Sequence, residues 1–379
     1  MSYLQIIENN KKWIDETFKK LDTKLSRTAV KSRNKIPYTV QNGVHTDMAD
    51  SDIAWWTNGF WGGLMWLMYE ATKNVEYATT AKTSERILER SFDEDLDGLH
   101  HDVGFMFHLT SGASYRLTGD KHSRKNNLLA AMMLASRYNI KGEFIRAWNI
   151  ENSEGWTIID SMLNIPLLYW ASKEVKDDRF KYIAVAQADM AMRDHVRTDG
   201  TINHIVMHDT AMPNKVLGTR GGQGYAEGSC WSRGQSWAVY GFVLSYIHTG
   251  DKKYLETAKK VTDLFIRETE KTEWLPRVDF NQPPTPVKYD STAGAIAACG
   301  MIEIAKCCEG EESEKYLSSA IKILQAMEKS WCDWTEENDS ILQMGCEEYH
   351  HGVHRNIIYG DFYFTEAILK LKGSKFLIW

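Results

Sequence analysis

Apolar residues recur along most of the chain at the spacing of an α-helix, with polar residues between them. The stripe nearest the N-terminus holds Ile6, Ile7, Trp13, Ile14, Phe18 and Leu21. The stretch from Ser236 to Thr249 repeats this spacing, and Asp290 offers an N-cap for a helix over residues 293–307. The pattern predicts an all-α protein that begins with an amphipathic helix.

Short polar turns separate these apolar helices. They fall at residues 72–77, 118–121, 176–180, 249–254 and, more faintly, 310–316. Because each turn follows one helix and precedes another, the chain is predicted to be an array of helical hairpins. Five turns with room for a sixth predict a closed ring of about six hairpins, and an open helical solenoid is the alternative. Strand signals are confined to connections such as Thr201–Val206, and no Pro/Gly/Ser-rich linker divides the chain, so residues 1–379 are predicted to form one domain.

Composition limits the classes of function. Hydrophobic residues make up 43% of the chain and charged residues 25%, which is ordinary for a globular protein. The net charge of −6 argues against a nucleic-acid partner, since such proteins usually carry a basic face. The 14 Trp, 17 Tyr and 13 Phe suit the faces of sugar rings, although aromatic residues also fill ordinary cores.

The chain also lacks the signals of export and of membrane insertion. Residues 2–12 contain no continuous apolar core of a signal peptide, and no later run approaches the roughly 18 apolar residues of a membrane span. The six cysteines show no CxxC spacing, which predicts free thiols rather than disulfides or a zinc site. We therefore expect a cytoplasmic protein with no membrane partner.

In a ring of hairpins, polar and glycine-rich connections gather at one end and form the natural pocket. Four connections fit that description, at residues 55–63, 99–105, 155–164 and 219–237. Asp160 stands beside Ile159 and ahead of an apolar run, and burial there would raise its pKa as a general acid requires. Asp102, which follows two histidines, could be a second catalytic carboxylate. The plain alternatives are that Asp160 caps a helix and that Asp102 ties down a loop.

Other chemistries have weaker signals. His100–His101 and the histidines of residues 350–354 could share an ion, but there is no HExxH and no evident carboxylate partner at ligand spacing, so we predict no metal. Neither a GxGxxG fingerprint nor a GxxxxGK[ST] loop is present, and we expect no cofactor. A GxSxG elbow is also missing. General acid/base catalysis by carboxylates therefore remains the favoured chemistry.

Taken together, the motifs resemble those of the unsaturated glucuronyl hydrolases, glycoside hydrolase family 88. The shared motifs are W-T-x-G-F-W from Trp56, H-H-D-x-G-F from His100, I-I-D-x-x-L-N-x-P-L-L from Ile158, R-G-G at Arg220, W-x-R-G-Q-x-W from Trp231, D-S-x-A-x-A-I-x-A-C-G from Asp290 and G-D-[FY]-Y-x-x-E-A from Gly360. Each motif is weak alone, whereas seven in order over nearly the whole chain are specific.

The resemblance implies an (α/α)6 barrel of six helical hairpins, in agreement with the turns. By motif position it implies that Asp160 is the general acid/base and Asp102 the second essential aspartate. The residues that would line the sugar pocket are Trp56, His101, His204, Gln223, Arg233 and Trp237. The match at Gln223 is looser, because the chain is shortened beside Gly221–Gly222.

The implied reaction is the hydration of a vinyl ether. The partner would be a glycosaminoglycan di- or oligosaccharide with a 4,5-unsaturated uronic acid at its non-reducing end. Protonation of C4 by Asp160, with Asp102 ionised beside it, would give positive character at C5, where water adds. The resulting hemiketal would open and expel the aglycone. Arg233 or His204 would bind the substrate carboxylate, and residues 347–358 are where sulfate contacts are expected.

Three other functions remain open at this point. An unsaturated rhamnogalacturonyl hydrolase would use the same barrel and chemistry on a pectin fragment. A sugar 2-epimerase would need two histidines facing one carbon, such as His101 with His204 or His351. In a non-catalytic sugar-binding ring, Asp102 and Asp160 would be only caps.

Overall fold

The computed structural model describes all residues, 1–379. Its helices are α1 (Tyr3–Lys31), α2 (Gly59–Thr72), α3 (Val75–Leu88), α4 (Ser91–Glu94), α5 (Ala113–Thr118), α6 (Lys121–Ser136), α7 (Ser161–Asn164), α8 (Pro166–Val175), α9 (Arg179–Asp194), α10 (Ser232–Thr249), α11 (Lys252–Glu270), α12 (Ser291–Cys307), α13 (Gly310–Trp331) and α14 (Ile358–Leu371). A 3₁₀ turn, Trp56–Asn58, leads into α2, and a π-helical segment, Gly104–Gly112, leads into α5.

The helices form two concentric rings. The inner ring consists of α2, the π-helix with α5, α7 with α8, α10, α12 and α14, and it closes because α14 packs against both α12 and α2. The outer ring consists of α1, α3, α6, α9, α11 and α13, each packed on an inner neighbour. This arrangement confirms the predicted (α/α)6 barrel.

The two rings differ in how their helices are buried. An outer helix such as α11 buries one stripe and exposes the other face, as expected of an amphipathic helix at a surface. In α10 every residue from Ser232 to Ser245 is buried, because inner helices are covered on all sides. The stripe predicted for Ser236–Thr249 is therefore only part of the buried surface of that helix.

Four of the five predicted turns are confirmed at the end of the barrel where inner helices pass into outer ones, whereas the faint fifth, residues 310–316, lies inside α13. Left-handed residues end four of the inner helices: Lys73, Gly119, Lys176 and Gly250. Three of the outer helices that follow begin at an N-cap side chain that accepts a backbone N–H: Asn74, Asp120 and Asp251. All six inner helices consequently begin at the opposite end.

Strands occur only in connections. Two short hairpins pair β1 (Val40–Gln41) with β2 (Val44–His45) and β3 (Tyr138–Asn139) with β4 (Phe144–Ile145), and a three-stranded antiparallel sheet has the order β5 (Trp156–Ile158), β6 (Ile205–His208), β7 (Val216–Arg220). The strand expected at Thr201–Val206 is displaced, because the ladder with β5 pairs Ile158 with Ile205 and continues to Met207. Ile202 forms only an isolated bridge with Val196.

One hydrophobic core of 89 buried residues takes in side chains from both rings. Trp379 belongs to it: the indole stacks on Tyr363 with ring centroids 5.8 Å apart and donates to Glu366 at 3.1 Å. No helix has the length and apolar content that crossing a bilayer requires.

Candidate active site

The motif residues come together at the end of the barrel where the inner helices begin. Asp102 precedes the π-helix, Asp160 immediately precedes α7, and Arg233 and Trp237 lie in the first turns of α10. Because the backbone N–H groups of a helix N-terminus carry partial positive charge, six such termini at one end favour an anionic ligand there. We therefore expect the functional site at this end of the barrel.

Asp102 and Asp160 lie on either side of His101. The imidazole Nε2 of His101 is 3.5 Å from Asp102 Oδ2 and 3.6 Å from Asp160 Oδ1. The His101 side chain is fully buried, whereas the side chain of Asp102 is 5% exposed and that of Asp160 is 17% exposed. The two carboxyl groups thus flank one buried imidazole, and Asp160 is the more exposed of the two.

Burial controls the protonation of the three groups. It raises the pKa of Asp160 well above its ordinary value, and the charge of Asp102 raises it further. The pKa of Asp102 is raised to about 7 by burial, although the hydrogen bond from Asn164 opposes the shift. Burial lowers the pKa of His101, which is therefore neutral. Because burial and the charge of Asp102 both raise the pKa of Asp160, Asp160 is the more favourable site for a proton shared by the pair.

The capping alternative does not describe Asp160. Its side chain makes no capping hydrogen bond to α7, and Oδ1 is buried without a hydrogen-bond partner. A buried acceptor with no partner is costly, so its persistence indicates a ligand or a proton-transfer role. The side chain of Asp160 is therefore not a cap of α7.

Asn164 is a site residue that the sequence did not single out. Its Nδ2 donates to Asp102 Oδ1 at 2.8 Å, and its Oδ1 accepts from the backbone N–H of Phe105 at 2.8 Å. The amide thereby fixes Asp102 and favours its charged form. The available signal was the position of Asn164, one helical turn after Asp160.

The three-stranded sheet brings His204 beside Asp160. Ile159, the neighbour of Asp160, donates its backbone N–H to the His204 carbonyl at 3.2 Å. His204 Nδ1 lies 3.1 Å from the backbone nitrogen of Gln223 and 3.3 Å from the Gly221 carbonyl oxygen. Nε2 is buried without a protein partner, and burial lowers the pKa of His204 to about 3. His204 is thus a neutral imidazole with one ring nitrogen that no protein group contacts.

Arg233 contacts protein acceptors at both of its terminal nitrogens. Nη1 pairs with Asp290 at 2.8 Å and also contacts the Cys346 carbonyl, and Nη2 donates to the Glu347 carbonyl at 2.5 Å. The guanidinium stacks on Trp231, 4.5 Å from the ring centroid. Only its Nε is without a partner, so Arg233 chiefly holds the wall of the site.

Phe105 packs against both Trp56 and Trp237. The ring centroids of Trp56 and Phe105 are 5.6 Å apart, and those of Phe105 and Trp237 are 5.4 Å apart. Trp56 is half-buried and lines a cavity of about 220 Å³ together with Gln223 and Arg233, whereas Trp237 is buried in the core. Trp56 is the better placed of the two to stack on a sugar ring.

Two expectations about histidines need correction. A carboxylate partner for the His100–His101 pair does exist: donor atoms of His100, His101 and Asp102 lie within 4.8 Å of one another and could share an ion. The reason is the turn before the π-helix, which folds these consecutive residues toward one point. His351 is 81% exposed, so it cannot face a buried carbon as the second histidine of an epimerase.

Comparison with known proteins identifies the family. The family model of Glycosyl Hydrolase Family 88 matches residues 28–371. The chain belongs to this family. Its relatives include the "Unsaturated glucuronyl hydrolase" of Bacillus sp. (strain GL1), 33% identical over 84% of this chain and 86% of that protein. Another is the "Unsaturated chondroitin disaccharide hydrolase" of Streptococcus pneumoniae, 34% identical over 86% of this chain and 83% of that protein.

Solved structures of family 88 share the barrel. The crystal structure of the Bacillus sp. GL1 enzyme, described as responsible for the degradation of glycosaminoglycan, superposes with a TM-score of 0.87 at 30% identity and covers 94% of this chain and 97% of that one. A mutant of the Streptococcus agalactiae enzyme, solved in complex with dGlcA-GalNAc6S, has a TM-score of 0.78 at 26% identity and covers 97% of this chain and 93% of that one. The chain is thus a glycoside hydrolase with the family 88 fold.

Proposed function

We propose that this family 88 enzyme removes the 4,5-unsaturated uronic acid from the non-reducing end of a lyase-generated glycosaminoglycan fragment, with Asp160 as acid and base. The buried pair of Asp160 and Asp102 on either side of His101 carries the proposal. A vinyl ether needs a proton donor at carbon, and a carboxyl group that stays protonated near neutral pH is such a donor.

The reaction begins when Asp160 gives its proton to C4 of the unsaturated ring. Positive character then develops at C5 and O5, where the negative charge of Asp102 stabilises it. Water adds at C5 as the ionised Asp160 takes one of its protons, which restores the acid. The hemiketal opens to a C5 ketone and a C1 hemiacetal, and the hemiacetal expels the aglycone as an alcohol and leaves an aldehyde. One water is consumed in the whole sequence.

The uronate carboxylate is assigned to His204 and the helix N-termini. Nε2 of His204 is buried with no protein partner and carries a proton when Nδ1 accepts from Gln223, whereas each terminal nitrogen of Arg233 already has a protein partner. A neutral N–H donor together with helix N-termini binds a carboxylate without adding a full positive charge beside Asp160. The charge of Arg233 already opposes the raised pKa of Asp160, and a second positive charge would lower that pKa further.

The proposal is tested by following the ultraviolet absorbance of the conjugated C4=C5 bond. Wild-type enzyme should consume the absorbance of an unsaturated chondroitin disaccharide, and Asp160→Asn should lower kcat by roughly 10⁴-fold. Glu311→Gln, an exposed residue at the start of α13, serves as the control. A near-normal rate for Asp160→Asn would remove the assignment. Faster turnover of an unsaturated rhamnogalacturonan disaccharide would move the substrate to pectin.

We also propose that the protein is cytoplasmic. All six cysteines are free thiols, and Cys230, Cys299 and Cys346 are buried. Unpaired thiols are the usual state in a reducing compartment.

A further inference from the structure

Arg137 is a cation at the active-site end of the barrel that lies outside all seven motifs. It forms the C-cap of α6, and the outer helices end where the inner helices begin. A positive charge is favourable there, because the last carbonyl groups of a helix carry partial negative charge. The chain then enters the β3–β4 hairpin, and the Arg137 carbonyl accepts from the backbone N–H of Arg146 at 3.1 Å. Arg137 therefore has a fixed place at the base of this hairpin.

The guanidinium of Arg137 donates only to neutral acceptors. Nε donates to the Arg146 carbonyl at 2.9 Å, Nη2 to the Ala147 carbonyl at 2.8 Å and Nη1 to the Asn149 side-chain oxygen at 2.7 Å. Burial lowers the pKa of Arg137 to about 10, so the group stays charged near neutral pH. Asp102 is the one carboxylate whose charge acts on it. No direct ion pair cancels this positive charge.

The acceptors of this guanidinium hold the connection that carries Asp102. The Ala147 carbonyl also accepts from the backbone N–H of His101 at 3.3 Å. The Asn149 side-chain amide donates to the Leu99 carbonyl at 2.9 Å. The backbone that leads into Asp102 is thus tied to the same two residues that bind the guanidinium.

The groups that face Asp102 come from three parts of the chain: His100, His101, Arg137, Asp160 and Asn164. Burial raises the pKa of Asp102 to about 7, while the Asn164 hydrogen bond and the charge of Arg137 oppose the rise. Both histidines are neutral, because burial lowers the pKa of each. Arg137 therefore supplies the full positive charge that favours ionised Asp102.

We propose that Arg137 is a positioning residue for the reaction, whose charge keeps Asp102 ionised and whose hydrogen bonds fix the connection that carries it. The inference rests on the proposed function, because it requires Asp102 to act as a negative charge beside the acid. Without the charge of Arg137, more of the enzyme would hold a proton on both aspartates. That form has the proton donor but lacks the charge that stabilises positive character on the ring.

The test is the pH profile of kcat and kcat/KM for an unsaturated chondroitin disaccharide. Arg137→Gln keeps an amide donor but removes the charge, so we expect the acid limb of kcat/KM at higher pH than in the wild type. Arg137→Lys keeps the charge and should return the acid limb toward the wild-type position, while kcat stays low because hydrogen bonds are lost. Asn149→Ala loosens the connection but leaves the charge, and should lower kcat roughly tenfold without moving the limb.

Arg146→Gln is the matched control, since it removes a cation of the same hairpin that does not act on Asp102. It should keep the wild-type acid limb. Circular dichroism confirms that each variant is folded. If Arg137→Gln does not fold, Arg137→Lys carries the test, and an acid limb displaced as far in Arg146→Gln as in Arg137→Lys contradicts the role of Arg137.

The outcomes separate this inference from the function beneath it. If the wild type does not consume the disaccharide, the proposed function fails. If it does, but Arg137→Gln keeps the wild-type acid limb and loses only kcat, the charge of Arg137 has no part in the reaction and the function stands.

Discussion

Asp160 keeps its proton because two effects act on the same carboxyl group. Burial penalises its charged form, and the negative charge of Asp102 adds to that penalty. Asp102 itself is favoured as the ionised partner because Asn164 donates to it. Replacing Asp102 or Asn164 should therefore also change the pKa of Asp160.

Asp102→Asn should lower the pKa of Asp160, since the repulsion that holds its proton is removed. The acid form is the active one, so the alkaline limb of the kcat/KM profile should move to lower pH. We also expect kcat to fall by about 10²-fold, because the charge that stabilises positive character on the ring is lost. The measurement is a pH profile with an unsaturated disaccharide. An alkaline limb that stays in place would show that Asp102 does not control Asp160.

Single residues were predictable where residue type and neighbours together imply chemistry. Asp160 and Asp102 stood out because charged residues lay in apolar or histidine-rich connections. Asn164 was missed, because an amide one helical turn after a carboxylate looks ordinary until the fold brings it into contact with Asp102. Arg233 lies in one of the motifs, but its ion pair with Asp290 was not predictable, because the two residues are 57 positions apart in the sequence.

At the scale of elements, the small sheet positions the catalytic connection. In its interior, the Thr157 hydroxyl on β5 lies 2.9 Å from His195 Nε2 and 3.0 Å from His208 Nε2. His195 Nδ1 contacts the Asn203 carbonyl at 2.7 Å, so its proton is there and Nε2 accepts from Thr157. His208 Nε2 then donates to the same hydroxyl. The network thereby holds the residues that lead into His204 and Asp160.

Thr157→Val should destabilise the protein by about 1–3 kcal/mol, because it keeps the side-chain shape but leaves two buried histidine nitrogens without partners. We expect a higher KM as well, since the positions of His204 and Asp160 depend on this sheet. Urea denaturation measures the stability and steady-state kinetics the KM. Thr157→Ser keeps the hydroxyl and should remain close to the wild type. Equal stability of the Val and Ser variants would contradict the network.

Elements were predictable where turn chemistry marks their ends. The residues at Lys73, Gly119, Lys176 and Gly250 end helices in the left-handed conformation, and polar caps follow. The strands were less predictable, because the position of β6 is set by its pairing with β5 almost fifty residues earlier. A short strand takes its boundaries from its partner.

For the whole molecule, the closed double ring joins helices from the two ends of the chain, since α1 packs against α14. The 89-residue core joins α1 to α14 without interruption, and we propose on that basis that residues 1–379 unfold together. The closed ring was predictable from the number of turns. The burial of the Trp379 side chain in the core was not predictable. A tryptophan far from every helix pattern gives no sign of which cavity it enters.

Calorimetry should show one cooperative transition for the wild type. Trp379→Ala should lower stability by about 3–5 kcal/mol, because it empties a fully packed site and removes the donor to Glu366. Trp379→Phe keeps a ring against Tyr363 and should cost less. Two separate transitions, or a Trp379→Ala variant as stable as the wild type, would contradict a single core closed by this side chain.

The central claim is that the first step is proton transfer from Asp160 to C4, not cleavage at the glycosidic carbon. A C-glycoside of the 4,5-unsaturated uronic acid tests it most directly, since its C1–aglycone bond cannot be hydrolysed. The account predicts that the wild type removes the ultraviolet absorbance of this compound by hydrating the double bond, and that Asp160→Asn leaves it unchanged. An absorbance that persists with wild-type enzyme, under conditions in which the natural disaccharide is consumed, would contradict the mechanism.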